Sequence, residues 1–210
     1  MLQGKIDNIA RITRALDPVD YPSPVAAPPV PADLATVFEE RLNALRAPGD
    51  DEPAVVRVAD SDRAVEAVAA MCEGTPKAKI IRYGAPPESL RKRDYAIGIT
   101  PAKALVAATG SVILELPTAS HGYSSLLVDL HIVVADTSQL VPDLLKFYEG
   151  LAPPGASRPA LTNLVCITGC SRTADIEKLL VVPAHGPRRI CVVLSETPIE
   201  WTALRGRIEA

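Results

Sequence analysis

Short apolar runs rich in β-branched residues recur along this chain, at 54–58, 111–116, 130–135, 163–168 and 189–194, with segments of helical spacing between most of them. Continuously apolar strands need cover on both faces, and crossover helices supply it. The alternation therefore predicts an α/β fold, a three-layer sandwich with a mostly parallel sheet. Helices are expected over 32–46, over a segment capped by Ser61 or Asp62 and running to Cys72, and over 101–108, 142–150 and 173–180. Weaker strands are expected at 79–82 and 95–99. The helix at 101–108 rests on Thr100-Pro101, a hydroxyl cap followed by proline at the first helical position. The connector 117–129 has no helical period and contains Gly122, so strand 130–135 can run antiparallel to its predecessor.

A length of 210 residues suits one such domain with an extension. The domain is placed at 32–210 and the extension at 1–31. Within the extension, Ile6, Ile9, Ile12 and Leu16 form one apolar stripe, and six of the fourteen residues over 18–31 are proline. An isolated helix that short is marginal in water, so this helix and its proline-rich arm are expected to dock on their own domain or on a second copy, making a homo-oligomer.

Several function classes lose support at once. A net charge of −3 and a pI near 5.7 give no positive field for nucleic acid or an anionic membrane. No apolar run approaches the roughly 18 residues of a membrane span, and the first residues lack the apolar core of a signal peptide, so a cytoplasmic protein is expected. Cys72, Cys166, Cys170 and Cys191 read as buried free thiols, and Cys166 and Cys170 are spaced neither as a redox pair nor as half a zinc site. His121, His131 and His185 show no ligand spacing. No metal or cofactor is assigned to this chain.

One stretch has the pattern of a binding site. The run 163–168 stops at Gly169, followed by Cys170, Ser171, Arg172 and Thr173, with Asp175 and Glu177 beyond and His185-Gly186-Pro187-Arg188 later. If a helix starts after Gly169, its free N–H groups and dipole favour an anion, and Ser171, Arg172 and Thr173 add donors. Arg172 can clamp a carboxylate or phosphate in a bidentate manner, or pair with Asp175. Ser171 and Thr173 serve equally as helix caps. Asp175 suits a first helical turn or orients an arginine. Gly186 shapes a turn, Arg188 is a second clamp or a surface cation, and His185 is a candidate acid or base. Ligands gather at strand carboxyl ends in open α/β sheets, which is where this site is expected. Thr109, Gly110 and Ser111 form a further turn, which would lie at the opposite sheet edge if all strands ran parallel and which an antiparallel strand or a kinked helix could bring to the site.

Gly98-Ile-Thr-Pro-Ala, Thr109-Gly110-Ser111, the Ser-Arg-Thr-Ala-Asp-Ile-Glu segment and His185-Gly-Pro-Arg188 occur in an order that resembles the LUD domain family, over roughly 50–195. The resemblance implies a fold similar to the NagB/RpiA/CoA-transferase group. It also implies an accessory role in oxidising L-lactate to pyruvate, beside lactate-utilization partners that carry iron–sulfur clusters. The chain departs from the family at Ala108, where many members carry an acidic residue, and at Cys170, where many carry proline. Three functions stay open: this accessory role with a small organic or phosphate-bearing anion as ligand, a sugar-phosphate isomerase or acyl-CoA-type enzyme, and a homo-oligomeric ligand sensor.

Overall fold

A computed structural model of the protein describes residues 30–89, 91, 94–151, 163–170, 173–174, 180–181 and 186–209. The N-terminal helix and most of the arm lie outside them. Pro31–Ala210 make one compact unit. Its centre is a parallel sheet of five strands in the order β1 (Val55–Val58), β11 (Arg189–Ser195), β6 (Leu130–Asp136), β3 (Ile97–Pro101) and β2 (Ile80–Arg82). Val192 and Val193 face opposite sides of this sheet and neither is exposed, which explains the unbroken apolar runs.

Helices cover both faces, as the alternation predicts. On one side lie α2 (Ser61–Cys72) and α5 (Trp201–Glu209), whose Ala64, Val68 and Leu204 pack on Ile97, Ile99, Ile132, Val134 and Val193. On the other lies α1 (Leu34–Asn43), with Phe38 and Leu42 against Val133, Ala135, Val192 and Leu194. Asp33 caps α1 by accepting from Thr36 N, and Asp60, rather than Ser61 or Asp62, caps α2 by accepting from Arg63 N.

Beside α1 sits a second sheet, in the order β7 (Leu140–Val141), β4 (Ala104–Val106), β5 (Ser111–Leu116) and β8 (Asn163–Thr168). Its inner face joins the α1 core through Leu105, Val112 and Leu114. Its outer face holds Ile113 and Val106 against Phe147 of α4 (Leu144–Leu151).

Three sequence expectations are overturned. Residues 101–108 form no helix: β3 runs through Pro101 and β4 begins at Ala104, because the segment is sandwiched between β5 and β7 and gains more from two ladders than from a short isolated turn. The connector contains α3 (Ala119–Leu126), a poor helix former by composition that is held by packing. Its Ser124 and Ser125 hydroxyls turn back to donate to His121 O and Gly122 O. With α3 as the crossover, β6 pairs parallel to β3 and β11 and lies in a different sheet from β5. Finally, Thr173–Ala174 is strand β9, antiparallel to β10 (Leu180–Val181), where a helix over 173–180 was expected.

Candidate functional site

The antiparallel pairing of β5 with β8 puts Ser111 opposite Thr168. The turn before one strand and the turn after the other thereby become neighbours, although 57 residues separate them. Gly110 and Gly169 adopt φ of 65° and 75°, a region that disfavours any side chain. Both lie against α1 and the turn after it: a methyl group on Gly110 would meet Leu42 N at 2.6 Å, and one on Gly169 would meet Leu45 Cβ at 2.8 Å. Three hydroxyls run in a chain across the pair, with Thr109 Oγ1 2.7 Å from Ser111 Oγ and Ser111 Oγ 2.7 Å from Thr168 Oγ1. Ser111 is buried, and the outer two residues are exposed. Three hydroxyl protons serve two links, so one donor remains for a partner beyond these three groups.

Cys170, buried, donates its thiol weakly to Leu45 O at 3.6 Å. It shares a closed seam with Leu42, Arg46, Arg188 and Arg189. The structure thus brings Thr109, Gly110, Ser111, Gly169 and Arg188 around the C-terminal end of α1. Arg189 Nε is 3.7 Å from Asp50 and Arg189 Nη2 3.6 Å from Glu52, while Arg188, 71% exposed, lies 3.7 Å from Asp129. Arg188 thus stands at the surface in this geometry. Ser171, Arg172, Asp175, Glu177 and His185 fall outside the described residues.

Two premises of the cradle change. Thr173 opens a strand, so the dipole of a helix starting there is not what favours an anion. Gly186 and Arg188 precede β11, and β1 begins beside them, so this cluster sits at the amino ends of the parallel strands, opposite to the edge expected. β8, which leads into the loop, belongs to the four-stranded sheet and not to the parallel one.

The carboxyl edge holds a group that sequence reasoning missed. Tyr83 follows β2, its hydroxyl donating to Glu115 O, and its ring meets His121 edge-on at 4.5 Å and Trp201 at 6.4 Å. His121 Nδ1 lies 2.7 Å from Thr118 Oγ1, which also reaches Ser120 Oγ at 2.8 Å. An imidazole with one nitrogen held by a hydroxyl is oriented for proton transfer at the other. These residues share no spacing: the α3 crossover brings His121, and the start of α5 brings Trp201, to the ring of Tyr83 after β2.

His131, noticed in the sequence only for its lack of metal-ligand spacing, is wholly buried in β6. Its Nε2 is 2.9 Å from Thr100 Oγ1 and its Nδ1 has no partner among the described residues. Burial pushes its pKa down to about 3, so the ring is neutral. Of the cysteines, Cys170 and Cys191 are buried as expected, and burial raises Cys191 to about 11. Cys166, in β8, is exposed, contrary to that expectation. Among the described residues no cluster of three His, Cys, Asp or Glu side chains could hold a metal, and no helix is long and apolar enough to cross a membrane.

Among known proteins, lactate utilization protein C of Halalkalibacterium halodurans is 37% identical over 101 residues, covering 48% of this chain and 44% of that protein. Its namesake in Deinococcus radiodurans is 28% identical over 91% of this chain and 95% of that protein. The chain spans about half the length of most curated relatives it matches, such as 53% of lactate utilization protein C 1 of Bacillus mycoides. A solved structure, a DUF162 family protein from Deinococcus radiodurans, is similar at 21% identity, with a TM-score of 0.45 over 79% of this chain and 99% of that one. Residues 90–195, from the segment before β3 to the end of β11, match the LUD domain, and with half of its length inside that match the chain belongs to the LUD domain family.

Proposed function

We propose that this protein serves lactate utilization as an accessory subunit in the oxidation of L-lactate to pyruvate, binding a small organic anion where the two glycine turns meet. The observation that carries the reading is the Ser111–Thr168 register. It sets the Thr109, Ser111 and Thr168 hydroxyls beside the Gly169-Cys170 turn. Ser171 and Arg172 are one and two covalent links beyond Cys170. A carboxylate accepting from the hydroxyl chain and from the Arg172 guanidinium would have the mixed donor set that such groups favour. The names of the curated relatives support the metabolic setting. The redox centres belong, in this reading, to iron–sulfur partner proteins, and a second copy of the chain docks through the N-terminal arm.

Thermal-shift titrations with lactate, pyruvate, phosphosugars and CoA esters test the ligand. Lactate or pyruvate should raise the melting temperature, since a ligand that binds only the folded state stabilises it by mass action. Arg172→Ala should weaken binding more than tenfold, the loss expected of about 1.5–3 kcal/mol for a hydrogen bond to a charged group. Ser111→Ala should cost severalfold. Unchanged affinity in both folded variants would place the anion elsewhere. Affinity purification of the full chain from lactate-grown cells tests the partners, and a preparation free of iron–sulfur proteins would remove the accessory role.

His121 at the carboxyl edge favours a second reading, an enzyme that moves a proton on a sugar phosphate or acyl-CoA ester. Turnover of such a substrate, abolished in His121→Ala, would replace the accessory role.

A further inference from the structure

A cavity of about 420 Å³ opens between the C-terminal half of α2 and the edge strand β2, far in the fold from the paired glycine turns. Its volume lies within the roughly 300–1,000 Å³ of small-molecule sites. Ala69, Ala70 and Ile80 form apolar walls, and Cys72 adds a half-buried thiol. Among the described residues β2 has no neighbour beyond it in the sheet, so none of their strands fills this space.

Arg82 enters the cavity from the last position of β2. Its Nε is buried and has no hydrogen-bond acceptor among the described residues. Arg82 as a whole is only partly buried, but a buried donor atom without an acceptor is still costly, and the other described arginine with a buried, unbonded Nε, Arg189, at least lies within 4 Å of two carboxylates. Arg82 forms no ion pair among the described residues. An anion inside the cavity would supply the missing acceptor.

The remaining lining selects the kind of anion. Lys77 adds a second cation and Thr75 a hydroxyl, while Glu73 places a carboxylate at the rim. The final carbonyls of α2 also point toward this end, carrying the negative pole of the helix dipole. Two cations against one carboxylate and a negative helix end suit one negative charge and disfavour two. We propose that this cavity binds an organic monocarboxylate with an apolar body, its carboxylate on the Arg82 guanidinium and its chain along Ala69, Ala70 and Ile80. The ligand differs from lactate in needing several carbons of apolar surface to fill the walls.

Cys72 reports occupancy directly. The full-length protein is alkylated with iodoacetamide with and without hexanoate, and the labelled peptides are read by mass spectrometry, with exposed Cys166 as internal reference. Hexanoate should slow labelling of Cys72 severalfold and leave Cys166 unchanged. Arg82→Gln should need more than ten times the hexanoate for equal protection. Ala70→Phe, which fills the cavity from an exposed helix position and keeps the charge, should abolish protection, and it decides the matter if Arg82→Gln does not fold. No protection of the wild type, wild-type protection in either folded variant, or equal protection by inorganic phosphate would overturn the assignment.

Discussion

Gly98→Ala should be among the most damaging single-methyl additions to this fold, costing about 3 kcal/mol or more, the upper end of overpacking effects. A methyl group at Gly98 would lie 1.7 Å from Ser124 O, with Ser124 C at 2.8 Å and Val128 Cγ1 at 3.1 Å. The obstacle is backbone, so no change of rotamer relieves it. β3 is tied by ladders to β2 and β6, which leaves displacement of α3 as the remaining response. At about 2–4 °C per kcal/mol for a chain of this size, the melting temperature should fall by roughly 6–12 °C. Gly206 provides the control, since a methyl group there meets nothing within 4 Å and the residue lies inside α5. Gly206→Ala should gain about 0.5–1 kcal/mol from helix propensity alone. Urea denaturation of both variants checks the pair; a cost below about 1 kcal/mol at Gly98 would mean that α3 does not approach the sheet so closely.

His131→Gln should change how stability depends on acid. In the wild type the folded ring has a pKa of about 3 while the unfolded value stays near 6.5. Between those values the unfolded chain binds a proton that the native chain refuses, so stability falls as pH falls. The stabilising effect of keeping the ring neutral in both states is complete only above the unfolded pKa. Glutamine keeps a side-chain amide near Thr100 and does not titrate. Relative to that variant, the wild type should lose about 2.5 kcal/mol between pH 7 and pH 4.5, with carboxylate effects common to both proteins cancelling. Denaturation curves at several pH values measure the difference. Parallel pH profiles would mean that His131 reaches water in the native state.

Much of the fold was legible because its signals are local. The runs 111–116 and 163–168 coincide with β5 and β8, and β6 and β11 extend their predicted runs by one residue at the end. These strands are apolar on both faces whatever their neighbours, so their composition alone identifies them. α1 was legible through apolar positions such as Phe38 and Leu42, one helical turn apart, and α2 through a cap signal that fell one or two residues late, at Ser61 or Asp62 rather than Asp60. Motif order likewise points to the LUD domain.

Other features depend on what a segment touches. β4 has three residues and becomes a strand because β5 and β7 flank it, and α3 is a helix because Gly98 leaves room for its backbone. The candidate sites belong to this second group. Thr109 and Ser111 meet Thr168 and Gly169 through a register that pairs the beginning of one strand with the end of another, and Tyr83, His121 and Trp201 meet at the end of a crossover. Sequence alone determined the long apolar strands and the helices of regular period, since burial needs and periodicity are written residue by residue. Tertiary structure alone decided which polar residues share a site, because hydrogen bonds and ring contacts form between atoms that only the packing of distant elements brings within reach.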